Sequence, residues 1–181
     1  MKYKLLSIKN KIDIPFEYRN TPVGLLLEYH NLNRHFDTYS KAEMLIGMCM
    51  DNRNQLRTPA NFAFIIRAGG TNLGLCDFYV SYAIGVGDIK YIALVTHNDC
   101  GMVNLESKKE RFIAGLVKNA GWEINKAEEY FKSNFNDFEI LNEIEFITNQ
   151  TEVFRKKYPK IKTVPLYYNV NDFKLYCIIK Q

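Results

Sequence analysis

Two polar clusters, each following a short apolar run, constrain this chain more than anything else in it. The run at residues 44–50 leads straight into Asp51, Asn52 and Arg53, and the run at 91–96 leads into His97, Asn98, Asp99, Cys100 and Gly101. Short runs that are apolar without alternation read as strands buried on both faces, as in parallel sheets. Between them, a third run at 62–66 is broken at Gly69 and Gly70, and residues 78–86 carry apolar positions at helical spacing. That succession is a βαβ unit, so the first and last runs are expected to be neighbours or near neighbours in one sheet. Ligands of open α/β sheets bind at the carboxyl ends of strands, and both clusters are expected there.

The rest of the chain fits around that unit. Residues 1–15 read as an extended, basic arm. Thr21 can cap a helix over 23–33, with Pro22 in its first turn. Three helical stretches are expected at 102–119, 122–131 and 138–157, with breaks at Gly121 and at 134–137. Residues 164–170 and 173–179, joined at Asn171 and Asp172, read as a hairpin. The expected fold class is α/β, with a mainly parallel β-sheet flanked by helices, an N-terminal arm and helix, and a C-terminal hairpin.

A length of 181 residues suits one hydrophobic core. The net charge of +4 is too mild to argue for nucleic acid. No apolar run approaches the ~20 residues that span a bilayer, and residues 1–16 lack the continuous apolar stretch of a signal peptide. A cytoplasmic chain that binds neither nucleic acid nor membrane is expected. In that setting the four cysteines are expected to be thiols or metal ligands rather than disulfides. Cys76 and Cys177 read as buried packing residues, and His30 and His35 as partly exposed residues at a helix end. The basic run at 155–162 reads as a solvated helix C-terminus.

Cys49, His97 and Cys100 offer two thiolates and an imidazole, a donor set that suits zinc. Three protein ligands leave one position open, which is the catalytic arrangement. Asp51 lies two residues after Cys49, and on an extended backbone its carboxylate points the same way. Arg53 repeats the spacing and can grip that carboxylate with two parallel hydrogen bonds. Such a pair has two states. Engaged, Arg53 keeps Asp51 off the metal; disengaged, Asp51 is free to become the fourth ligand.

Cys49-x-Asp51-x-Arg53 followed by His97-x-x-Cys100-Gly101 resembles the zinc signature of the β-class carbonic anhydrases. The likeness continues through Phe64, Ile65, Ile66, Arg67, Ala68, Gly69 and Gly70, and into the helix at Ser81 to Ile84. This chain differs at Asn52, where Ser is usual, at Thr96, where Gly is usual, and in a glycine turn one residue shorter. The resemblance implies a Rossmann-like fold with one zinc per subunit, held by Cys49, His97 and Cys100, with Asp51 and Arg53 as a catalytic dyad. It implies reversible hydration of carbon dioxide to bicarbonate by a metal-bound hydroxide. It also implies a homodimer or multiple of dimers, with residues 1–40 packing on a partner subunit and 41–181 forming the zinc-binding domain. Two alternatives stand beside it: a related zinc hydrolase of carbonyl sulfide or carbon disulfide, and a non-catalytic zinc-binding module on the same fold.

Overall fold

The apolar runs form strands where their composition puts them. β2 (Met44–Met48) is buried throughout, and β4 (Tyr91–His97) from Ile92 onward. The two pair directly and in parallel, with Leu45 opposite Ile92 and Met48 opposite Val95. β3 (Ala63–Arg67) takes the other side of β2 and forms the sheet edge. β5 (Lys162–Asn169) runs parallel to β4, and β6 (Lys174–Lys180) returns antiparallel to β5, making the expected hairpin. β1 (Tyr3–Ser7) closes the far edge antiparallel to β6, giving the order β1-β6-β5-β4-β2-β3. This is a computed structural model; it describes residues 3–181, and Met1 and Lys2 of the expected arm lie outside the described residues.

Alternation along the strands divides the core in two. Met44, Ile46, Met48, Ala93 and Val95 face α1 (Pro22–Asn31), meeting Val23, Leu26 and Leu27. Leu45, Ile92 and Leu94 face the other way, onto α2 (Asp77–Gly85) and α5 (Glu143–Lys157). Each fully buried Leu, Ile or Met contributes about 1.5–3 kcal/mol of apolar transfer free energy, so both layers hold the sheet firmly. Gly47 is needed on the second face, where a Cβ would lie 2.3 Å from Leu73 Cδ1. The N-terminal helix starts as expected: the Thr21 hydroxyl accepts a hydrogen bond from the Gly24 N–H, with Pro22 at the first position.

α3 (Lys109–Ala120) and α4 (Ile124–Phe138) form a hairpin outside those two clusters. Its own aromatic rings hold it, with Phe112 and Phe131 at 5.3 Å and Phe131 stacked on Phe135 at 5.4 Å. Gly121, with φ of +68°, ends α3 as the expected break. The break expected at 134–137 is absent, because α4 runs on to Phe138. Polar residues there bond back to their own helix: Ser133 Oγ donates to the Glu129 carbonyl and Asn134 Nδ2 to the Tyr130 carbonyl. The chain breaks at Ile140 instead, whose N–H donates to the Met102 carbonyl at 3.0 Å. Asn142 then caps α5, its side chain accepting from the Ile144 and Glu145 N–H groups.

The basic arm is not extended throughout. Among its described residues only Tyr3–Ser7 is a strand, and short 3-10 turns follow at Lys11–Asp13 and Phe16–Tyr18. Cys177 is buried as expected, whereas Cys76 is only partly so. His35 is exposed as expected, but His30 is buried. His30 Nε2 meets the Phe173 carbonyl at 2.9 Å, and its Nδ1 accepts the Arg57 N–H at 3.1 Å. Both ring nitrogens are therefore used in joining α1 to two loops.

Candidate metal centre

Because β2 and β4 are parallel neighbours, their carboxyl ends emerge side by side. The turn after β2 carries Cys49, and the end of β4 with the turn after it carries His97 and Cys100. All three side chains are buried, and their ligand atoms lie within 4.8 Å of one another. The Cys49 and Cys100 sulfurs are 3.9 Å apart. Two sulfurs held tetrahedrally on zinc at about 2.3 Å would stand about 3.8 Å apart, so the spacing is already that of a bound pair.

His97 supplies the sharper test of fit. Its Nδ1 sits 2.8 Å from the Asn98 carbonyl oxygen, which fixes the proton on Nδ1 and leaves the Nε2 lone pair free. That Nε2 is buried and has no hydrogen-bond partner among the described residues. A buried acceptor without a partner is costly, and a metal ion between the two sulfurs would satisfy it. The sulfurs show the same readiness. The hydrogen bond from Cys100 pulls the Cys49 thiol down to about 4, and the same contact pushes Cys100 up. Burial acts to lower the His97 pKa, but the neighbouring Cys49 thiolate outweighs it and the net shift is upward. The donors thus fit a soft-to-borderline divalent cation such as zinc, with a fourth position left over.

Beside these donors stands an ion-pair cluster. The Asp51 carboxylate accepts from the Arg53 backbone N–H at 2.9 Å, from Nε at 3.0 Å and from Nη2 at 2.7 Å. Those bonds hold its pKa down at about 2. The engaged state of the expected pair is the one formed. Arg53 also reaches the other loop: Nη1 donates to the Asp99 carboxylate at 2.6 Å and Nη2 to the Asp99 carbonyl at 2.9 Å. One guanidinium therefore ties the Cys49 turn to the His97 turn.

No protein-family model matches the chain, and no curated protein matches it in sequence. Solved structures do. The chain is similar to β-carbonic anhydrase isoform I of the protozoan Trichomonas vaginalis, with 22% identity, a TM-score of 0.64, and coverage of 82% of this chain and 90% of that one. Carbonic anhydrase from Glaciozyma antarctica aligns at 16% identity and TM-score 0.59, covering 76% of this chain and 83% of that one. The apo form of a carbon disulfide hydrolase aligns at 21% and 0.54, covering 75% and 77%.

This chain has the β-carbonic anhydrase fold.

Within that fold, further residues support the two turns. Arg67, at the end of β3, donates to the Cys49 carbonyl at 3.0 Å and to the Asn54 carbonyl at 2.8 Å. Tyr168 Oη donates to the Arg53 carbonyl, and the Asn98 side chain accepts the Val170 N–H at 2.8 Å. Gly70, in the glycine turn, has φ of +63°, and a Cβ there would lie 3.3 Å from both Met102 Cβ and Ile140 Cδ1. Gln150 on α5 anchors the same turn, accepting the Leu73 N–H at 2.8 Å and donating to the Thr71 carbonyl at 3.1 Å.

The structure brings together all five residues expected at the site: Cys49, His97, Cys100, Asp51 and Arg53. Asp99, Asn98 and Gln150 support the site without having been expected there from the sequence. Asp99 carried a weak signal, an acid inside the second motif; Gln150 carried none, being one polar residue on a mostly polar helix.

Proposed function

We propose that this chain is a zinc enzyme that reversibly hydrates carbon dioxide to bicarbonate. The observation that supports it most is the orphaned Nε2 of His97, converging with two sulfurs at zinc-ligand spacing. Cys49, His97 and Cys100 would hold the ion. When bound, zinc supplies a water acidified to near neutrality as a nucleophile. Asp51, held ionised by Arg53, would accept a hydrogen bond from that water and orient it toward the substrate. With a pKa of about 2, Asp51 is too weak a base to keep the proton at neutral pH. Arg53 holds Asp51 in place, and Asp99 braces Arg53.

Stopped-flow carbon dioxide hydration tests the reading, with Cys49→Ser and Asp51→Ala as controls. Wild-type turnover should far exceed both; wild-type turnover no faster than Cys49→Ser would reject it. A second reading, hydrolysis of carbonyl sulfide or carbon disulfide, is favoured by the apolar cleft beside the site, lined by Met50, Met102 and several Phe residues. Sulfide release from carbonyl sulfide would identify it.

The same reading places the chain in the cytoplasm. Two sulfurs 3.9 Å apart would be lost as ligands by oxidation to a disulfide, and a reducing compartment protects them. No helix among the described residues is long and apolar enough to cross a membrane. It also makes the chain a homodimer or a multiple of dimers, with the 1–40 region contributing contacts. β3 is an edge strand with Phe64 and Ile65 exposed, Tyr79 and Tyr82 of α2 are exposed beside them, and Phe78 of α2 is exposed too. An apolar edge of that kind favours pairing with a second chain.

A further inference from the structure

The α3–α4 hairpin encloses a cleft of about 290 Å³ against the metal centre. Its walls come from Phe112 of α3, Phe131, Phe135 and Phe138 of α4, and Met50 and Met102 from the site side. Met50 stands between Cys49 and Asp51, and Met102 packs against the buried cluster of Cys49, Cys100 and Ile140. The cleft therefore shares a wall with the ligand loops. None of its lining residues is charged. The polar side chain of Asn134, also in the wall, donates to the Tyr130 carbonyl.

These walls select a ligand by chemistry. A linear triatomic substrate is far smaller than the space. A cavity of about 150 Å³ lined by aliphatic and aromatic side chains already takes benzene, so this cleft has room for a substituted ring. Two thioethers and several aromatic rings offer sulfur–aromatic and ring–ring contacts, and a charged group buried among them would find no charged partner. We propose that the cleft is a binding site for a small neutral aromatic molecule. This goes beyond the proposed reaction and does not depend on it.

Methionine-methyl NMR tests it on the full chain, with and without zinc, because Met50 and Met102 line the cleft while Met44 lies in β2. Toluene should shift the Met50 and Met102 methyl signals saturably, with a Kd on the order of 1 mM, and leave Met44 still. Benzylammonium, of similar shape but charged, should bind at least about tenfold more weakly. Leu105→Trp, which fills the cleft, should weaken toluene to a similar extent. Absence of a saturable shift overturns the proposal, as does equal binding of benzylammonium, or undiminished toluene binding by folded Leu105→Trp. If that variant does not fold, the comparison of toluene with benzylammonium decides alone. These outcomes are independent of turnover and of zinc content.

Discussion

Asp99 does at the residue scale what the motif itself cannot. Arg53 has a carboxylate on either side, and Asp99 holds the end of the guanidinium that faces away from Asp51. Removing a group that orients a site residue typically costs about 10–100-fold in activity or metal affinity. Asp99→Ala should therefore lower carbon dioxide hydration about tenfold while zinc content, read by metal analysis, stays at one per chain. Unchanged activity would show that Asp51 and the backbone suffice to place Arg53. The three candidate ligands and the Asp51–Arg53 pair were legible in the sequence because their chemistry is tied to spacing within a motif. The bond from Arg53 to Asp99 joins positions 46 apart, and only the parallel pairing of β2 with β4 makes it possible.

His30 illustrates the opposite error. From sequence it reads as a half-exposed residue at a helix end, yet burial holds its pKa at about 4, against 6.5 for the free side chain. The folded state therefore favours neutral imidazole. The stability this contributes is complete above about pH 6.5 and is lost as pH falls toward 4, by an amount on the order of 3 kcal/mol. Urea denaturation at pH 7 and pH 4.5 should show a smaller loss for His30→Gln than for wild type. Equal losses would mean that His30 does not carry this pH dependence.

At the scale of elements, what matters is how α5 and the glycine turn hold the ends of β2 and β3. Gln150 satisfies a buried N–H and a buried carbonyl of that turn. Gln150→Leu would orphan both, at a cost of about 1–3 kcal/mol for each. Thermal denaturation should show the loss, and zinc affinity should weaken because the turn packs beneath the ligand loops. Gly70→Ala should destabilise by about 1–2 kcal/mol for its left-handed backbone alone, with Met102 and Ile140 crowded besides. The strands and α1 were legible because apolar runs and a Thr-Pro start signal report local physics. The end of α4 was not. A cluster of Asn and Asp usually interrupts a helix, but here Ser133 and Asn134 bond to their own helix. The true break serves Ile140, which is 2% exposed and packs with Cys49 and Cys100.

At the scale of the whole molecule, four parallel strands with helices on both faces set two turns side by side, and the α3–α4 hairpin roofs the space next to them. The alternation of runs made the α/β class legible, whereas the placement of the hairpin depends on ring packing that has no period. The apolar edge at β3 and α2 belongs to this scale too. Sedimentation should find wild type as a dimer or larger, and Ile65→Lys should shift it toward monomer; a monomeric wild type would remove the proposed subunit contact. Everything proposed for the site requires that Cys49, His97 and Cys100 together hold one zinc ion. X-ray absorption at the zinc edge on the purified chain tests it most directly. The spectrum should show two sulfurs at about 2.3 Å and one imidazole nitrogen at about 2.0 Å, with a light-atom fourth ligand, and loss of one sulfur or of the metal in Cys100→Ser. A chain that binds no zinc, or a first shell that Cys100→Ser leaves unchanged, would contradict it.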